Sequence, residues 1–199
     1  MDYVYGTLSN SDGENPLDYR AILRSPTELL VVACNALTGE VKYFNKNDMG
    51  LDDFNILKAS SAIPFVCRPY EVRGVPYYDG ALGDPVPIEK AFQMGCDKVV
   101  VILSRPKDVL RVPGKDYQYA RRIQKKYPLA AERLRTRADR YNWGVDAAKE
   151  YEAQGRVLIV APDDTCGLGT LSKDKKALKQ FYEKGYYDAQ AIVEFTKEY

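Results

Sequence analysis

Apolar positions in this chain fall into two patterns: short continuous runs, and longer stretches with helical spacing. Glu28 to Ala33 (ELLVVA) is a compact apolar run that predicts a buried strand. Thr38-Gly39 is a turn signal, and Val41 to Phe44 returns as the second strand of a hairpin. Leu17 to Leu23 is a short helical candidate. Asp52 or Asp53 is placed to cap a helix through Phe54, Ile56, Leu57 and Ala59, which must end before Pro64. Val75 to Asp79 (VPYYD) reads as a short strand running into a Gly-rich turn. Pro87 suits a first helical position, Ala91-Phe92 the apolar face of that helix, and Gly95 its stop. Lys98 to Leu103 (KVVVIL) is the clearest buried strand, and Arg156 to Ala161 (RVLIVA) is a further one. Between them Leu134, Ala138, Tyr141, Val145 and Ala148 draw one stripe on a long helix. Ser172 is placed to cap a last helix with the stripe Leu178, Phe181, Gly185, Ala189 and Ile192.

Strands alternating with helices predict an α/β fold, a three-layer sandwich with a mostly parallel sheet. The expected bounds are 1–105 for the part carrying the Asp79 turn, 106–155 for an inserted basic helical layer, and 156–199 for the last strand and helix.

Composition narrows the chemistry. The chain has 199 residues, enough for one domain with a buried core or for two small lobes. The formal charge of +1 implies no particular partner, but it is unevenly spread: Arg105 to Arg140 holds 12 Lys/Arg against 4 Asp/Glu. Four cysteines, at 34, 67, 96 and 166, form no C-x-x-C and read as buried free thiols of a reducing compartment. The chain has no histidine, which removes a Ser-His-Asp triad or Cys-His pair made from these residues alone, and with it the commonest metal ligand. No cofactor or metal is expected. No run approaches the ~20 apolar residues of a membrane span, and the polar first residues lack a signal-peptide core, so a cytoplasmic location is expected.

The segment from Lys58 to Pro87, KASSAIPFVCRPYEVRGVPYYDGALGDPVP, carries the chemistry. A helix end rich in small residues, Ala59-Ser60-Ser61-Ala62, runs into Ile63-Pro64. A strand then delivers Asp79 at its carboxyl end, directly into Gly80, where the backbone can turn sharply and another segment can approach. The A-S-S-A-I-P stretch, followed by Tyr78-Asp79-Gly80-Ala81 and Asp84-Pro85-Val86-Pro87, resembles the second half of a patatin domain, most closely the bacterial patatin-like proteins. The resemblance is strong over Thr27 to Arg105 and weaker elsewhere. It implies a serine acyl hydrolase of lipid or other acyl esters, in which Asp79 is the base of a Ser-Asp dyad. A dyad needs no imidazole, only a carboxylate within hydrogen-bond reach of the serine.

Two departures from the family pattern stand out. Ala81 replaces the second glycine, and Asp84 stands where an asparagine is common. Asp84 either raises the pKa of Asp79 or caps the helix that begins at Pro85 to Pro87. No serine has glycine at both −2 and +2, so the chain holds no G-x-S-x-G, and the Gly-rich oxyanion loop is missing too. The expectation is a patatin-like fold truncated at its N-terminus, inactive alone, with Met1 an internal residue, an alternative start or an artificial boundary.

Weaker candidates complete the reading. Ser104-x-x-Lys107 and Ser172-x-x-Lys175 match a short motif that recurs by chance. Arg121, Arg122, Lys125 and Lys126, interleaved with Tyr117, Tyr119 and Tyr127, suit an anionic bilayer or nucleic acid, or form a solvated helical face. The alternative function is therefore a non-catalytic module that binds an anionic membrane surface or nucleic acid. If a central strand is missing, an exposed sheet edge would drive self-association.

Overall fold

The computed structural model describes residues 1–169 and 172–197. In chain order its elements are α1 (Tyr19–Arg24), β1 (Leu30–Asn35), β2 (Val41–Asn45), α2 (Asn55–Ser60), β3 (Tyr70–Val72), β4 (Val75–Asp79), α3 (Ile88–Gln93), β5 (Val99–Ile102), α4 (Asp116–Ile123), α5 (Pro128–Arg135), α6 (Arg137–Ala153), β6 (Val157–Val160), α7 (Lys175–Asp188) and α8 (Ala191–Lys197). The chain divides into two compact units: Met1–Pro85 with Val112–Tyr141, and Val86–Arg111 with Asn142–Tyr199. The stretch 106–155 is shared between them, and 156–199 includes four positions outside the described residues.

The first unit is built on a four-stranded sheet in the order β2-β1-β4-β3, antiparallel throughout. Turn chemistry dictates that direction. At one end Gly39, at φ +70°, folds β2 back along β1, while the Asn35 side chain accepts from the N–H groups of Leu37 and Thr38. At the other, Val72 pairs with Val75 across the two-residue loop Arg73-Gly74, both at positive φ, as the twist of a tight hairpin requires. The expectation of a mostly parallel sheet is therefore corrected: the molecule is mixed α/β, and among the strands of the described residues only β5 and β6 run parallel. A continuous apolar run signals cover on both faces of a strand, and β1 has that cover within an antiparallel sheet. Val31 and Ala33 join Phe44, Phe54, Ile56 and Tyr77 in one hydrophobic cluster. Cys34 joins Tyr78, Leu82, Ile123, Tyr127 and Leu134 in another, with α4 and α5. Tyr77 and Tyr78, adjacent on β4, divide between the two clusters as pleating demands.

The second unit carries β5 paired with β6 in parallel, from Val99 opposite Val157 to Ile102 opposite Val160, together with α3, α7 and α8. β6 is largely buried. β5 is not: Val99 to Val101 are half-buried and Ile102 is 71% exposed, so this strand departs from its expected burial.

Other local expectations are corrected by hydrogen bonds that spacing does not reveal. The predicted long helix breaks at Thr136, whose hydroxyl donates back to the Glu132 carbonyl, giving α5 and α6. Leu134, Ala138, Val145 and Ala148 of its stripe are nonetheless buried. Asp174, not Ser172, caps α7, accepting from the N–H groups of Lys176 and Ala177. Phe54 occupies the cap position of α2, and Asp53 accepts from Asn55 N–H beside it. Of the cysteines only Cys34 is buried; Cys67 and Cys166 are half-buried and Cys96 is exposed.

Candidate functional site

The site is built around the end of β4. Asp79, half-buried, is the last residue of that strand and the cap of a single 3₁₀ turn, Gly80–Leu82. Its Oδ1 accepts from Ala81 N–H at 2.8 Å, which fixes the direction of the carboxylate. Its backbone N–H donates to the carbonyl of Ala62 at 3.0 Å. That one bond joins the two halves of the sequence motif, A-S-S-A-I-P and D-G-A, and both Ala59 and Ala62 are fully buried where they meet. Small residues are needed there because the segment after α2 passes directly against the strand that ends in Asp79.

Gly80 is fixed by close approach. A β-carbon on it would stand 2.4 Å from the carbonyl oxygen of Val32, in β1. Gly83 presses likewise on the side chain of Val41. The turn is thus seated against the first hairpin, with no room for a side chain between them. From the other side Arg140 donates to the carbonyls of Leu82 and Arg133, each at 3.1 Å, and to the Thr136 hydroxyl at 2.6 Å. Burial lowers its pKa from the ordinary value, with the Arg133 charge adding to the effect.

Asp84 lies on the same turn, its N–H bonded to the Gly80 carbonyl at 2.9 Å. The expected helix-capping role for it is not found. α3 begins at Ile88 with Pro87 at its cap and has no side-chain cap, so Asp84 does not cap a helix. Its carboxylate instead accepts from the Tyr43 hydroxyl of β2. Burial, then the hydrogen bond and charge of Asp84, push the Tyr43 phenol above its usual range, which keeps it a donor. Two more groups beside the turn are held neutral. The Tyr78 phenol is pushed up to about 12 by burial, with Tyr127 edge-on to its ring at 5.6 Å. The Cys34 thiol is pushed up to about 11, by burial first, against the opposing pull of Arg133 and Arg140 and with the added push of the Asp79 carboxylate.

The basic stretch resolves into two sets. Arg133 donates to the Gly39 carbonyl at 2.7 Å. Arg137 makes a two-point contact with Asp116, at 3.0 and 2.6 Å, and Asp116 is only 3% exposed. Together with Arg140, these side chains hold the first unit together. The sequence reading missed this role, because an acid 21 residues from its partner looks like any solvated carboxylate. Arg121, Arg122, Lys125 and Lys126 are all exposed, as a surface role requires.

Neither S-x-x-K match forms a catalytic pair. Lys107 is bound to Glu152 at 2.6 Å, and the Ser172 hydroxyl accepts from Gly169 N–H. In the second unit a cavity of about 540 Å³ opens at the carboxyl ends of β5 and β6, walled by Ile102, Leu103, Val160, Pro162, Phe181 and Tyr182 among others. Of the candidates read from the sequence, Ser104 of the S-x-x-K match lines it; Asp79, Asp84 and the four surface cations do not. Among the described residues no cluster of His, Cys, Asp or Glu is placed to hold a metal, and no helix is long and apolar enough to cross a membrane.

Residues 18–92 match the model of the patatin-like phospholipase family, which bears out the resemblance carried by the motif. Residues 127–199 match a domain of unknown function, DUF6363. No curated protein matches the chain.

Proposed function

Taking residues 18–92 as a patatin-like phospholipase segment, we propose that this chain supplies the general-base half of a serine acyl hydrolase acting on lipid or other acyl esters. The observation that carries the reading is the placement of Asp79. It stands at the end of a strand, its carboxylate oriented by Ala81 N–H and its backbone tied to the A-S-S-A-I-P segment, inside the region that matches the family. The nucleophilic serine and the oxyanion amides come from a segment outside residues 1–199. The serine hydroxyl attacks the ester carbonyl as Asp79 takes its proton. The tetrahedral intermediate then collapses to an acyl-serine, and Asp79 returns the proton to the departing alcohol. Water repeats the sequence to release the acid. Asp84 serves the base indirectly, through the Tyr43 bond that anchors the turn to β2. In this reading the three-layer arrangement with a larger parallel sheet belongs to the whole hydrolase, which is a bacterial, cytoplasmic protein.

The test is Asp79→Asn in a longer protein that carries the serine. Asparagine keeps the shape and the acceptor for Ala81 N–H but takes no proton. Turnover of short p-nitrophenyl esters should drop by about 10²–10⁴ with the fold unchanged. Activity within tenfold of the parent removes Asp79 from the chemistry. Residues 1–199 alone should give no stoichiometric labelling by a fluorophosphonate probe; a labelled serine would overturn the division of the dyad.

A further inference from the structure

The turn that follows the A-S-S-A-I-P segment has a second face. Between Ile63 and Cys67 the backbone closes on itself, with Cys67 N–H donating to the Ile63 carbonyl at 2.9 Å. Phe65 sits in this turn at φ +76°, a conformation unfavourable for any side chain larger than glycine. The turn presents two apolar side chains to solvent, Phe65 at 47% exposure and Val66 at 51%. Burial does not explain the strained backbone.

Phe65 is nevertheless not loose. Its ring stacks on Tyr119 of α4, with centroids 4.7 Å apart and planes 14° apart, and the Arg122 guanidinium lies 4.2 Å from its centroid. The apolar turn is thereby continuous with the basic end of α4. Arg121, Arg122, Lys125 and Lys126 are exposed there, and none has an ion-pair partner among the described residues. The acid on α4, Asp116, is buried against Arg137, so it does not offset their charge at the surface.

We propose that Phe65 and Val66 form a wedge that enters the acyl region of an anionic lipid surface, while Arg121, Arg122, Lys125 and Lys126 bind its headgroups. The combination selects this partner. Unpaired cations draw the chain to a negative surface, and an apolar tip held upright beside them enters a layer that accepts it. Nucleic acid would use the charge and could stack on Phe65, but it has no place for Val66. The wedge begins three residues after Ala62, whose carbonyl holds the Asp79 backbone, so the surface and the base share one short segment. The choice of lipid rests on the acyl-ester reading above, but the test involves no turnover, so the two fail separately.

Trp143 is the chain's single tryptophan and is exposed, so it can be removed to give a dark background. The probe is W143F/F65W in residues 1–199, mixed with vesicles of phosphatidylglycerol and phosphatidylcholine. The expected result is a blue-shifted emission that brominated acyl chains quench, with no shift on pure phosphatidylcholine. At about a fivefold factor per basic residue near such a surface, R121Q/R122Q/K125Q/K126Q should weaken binding by two to three orders of magnitude. F65G suits the left-handed backbone, so it keeps the fold, and it should weaken binding about tenfold; V66T should do so by less. Asp79→Asn should bind as the parent does. No vesicle binding, binding without the emission shift, or binding indifferent to the four charges overturns the proposal. Tighter binding of single-stranded RNA than of anionic vesicles overturns it in favour of a nucleic-acid face.

Discussion

Replacing Gly80 by alanine measures how firmly the turn of the base is seated. The new β-carbon would stand 2.4 Å from the Val32 carbonyl oxygen and 2.8 Å from both its carbonyl carbon and its Cβ. Ordinary C···O contact begins near ~3.3 Å, so the shortfall is about 1 Å. The obstacle is backbone, and β1 cannot retreat because it is hydrogen-bonded to β2 on one edge and β4 on the other. The turn must move instead, straining the Ala81 bond to Asp79. Overpacking of this kind costs about 1–3 kcal/mol, and the upper end applies where the blocking atom is backbone. For a chain of this size that lowers the melting temperature by about 6–12 °C. Gly83→Ala is the internal control, because its new carbon meets a methyl of Val41 at 2.5 Å, and a side chain can rotate away. Its cost should stay near ~1 kcal/mol, or about 2–4 °C. Thermal unfolding followed by far-UV circular dichroism reads both. A G80A chain that melts within about 2 °C of the parent, or loses less than G83A, would refute the argument that close packing on Val32 requires glycine here.

Two further outcomes follow from buried and exposed positions. The Cys34 thiol is pushed from an ordinary 9.0 up to about 11, chiefly by burial, so the fold holds its proton more tightly than the unfolded chain does. Its stabilising effect is complete below about pH 8.5 and should be lost as pH rises through 11, by on the order of 2 kcal/mol. Cys34→Ala should flatten that decline in a denaturant series, and an unchanged slope would exclude Cys34 as its source. β5 pairs only with β6 among the described residues and exposes Ile102, so the chain should self-associate at micromolar concentration and Ile102→Lys should reduce it. Light scattering that shows a monodisperse parent would dismiss that expectation.

The parts of this molecule legible in the sequence were those governed by local rules. Val75 to Asp79 is a strand over its expected span, because β-favouring residues end where Gly80 allows a turn. Asp79 could be singled out because the A-S-S-A-I-P and D-G-A stretches resemble one family's motif; as a carboxylate before a glycine it also caps its own turn. Strand direction was legible only where a turn marks it: Thr38-Gly39 announced the β1–β2 hairpin, which the sheet bears out. An apolar run records cover on two faces and says nothing of its neighbours' orientation, so the antiparallel pairing of β1 with β4 could not be read from it. The partners of Asp84 and Asp116 were equally hidden, being Tyr43 and Arg137, 41 and 21 residues away. Net charge misled in a similar way. Counted as one run the stretch gives no hint that Arg133, Arg137 and Arg140 are turned inward, while the four singled out at 121, 122, 125 and 126 do face solvent.

The bond from Arg140 to the Leu82 carbonyl spans 58 residues. During translation, at about 5–20 residues per second, the turn that carries Asp79 therefore leaves the ribosome roughly 3–12 s before the side chain that clamps it. In that interval the β1–β2 hairpin and the Ala62 carbonyl are already available to position the carboxylate, but the outer side of the turn stays open. A nascent chain released before residue 140 would hold its acid in an unlatched loop. Ribosome-stalled chains ending on either side of Arg140, probed by limited proteolysis near Leu82, should therefore differ sharply in protection, with the gain coming when that single arginine clears the exit tunnel.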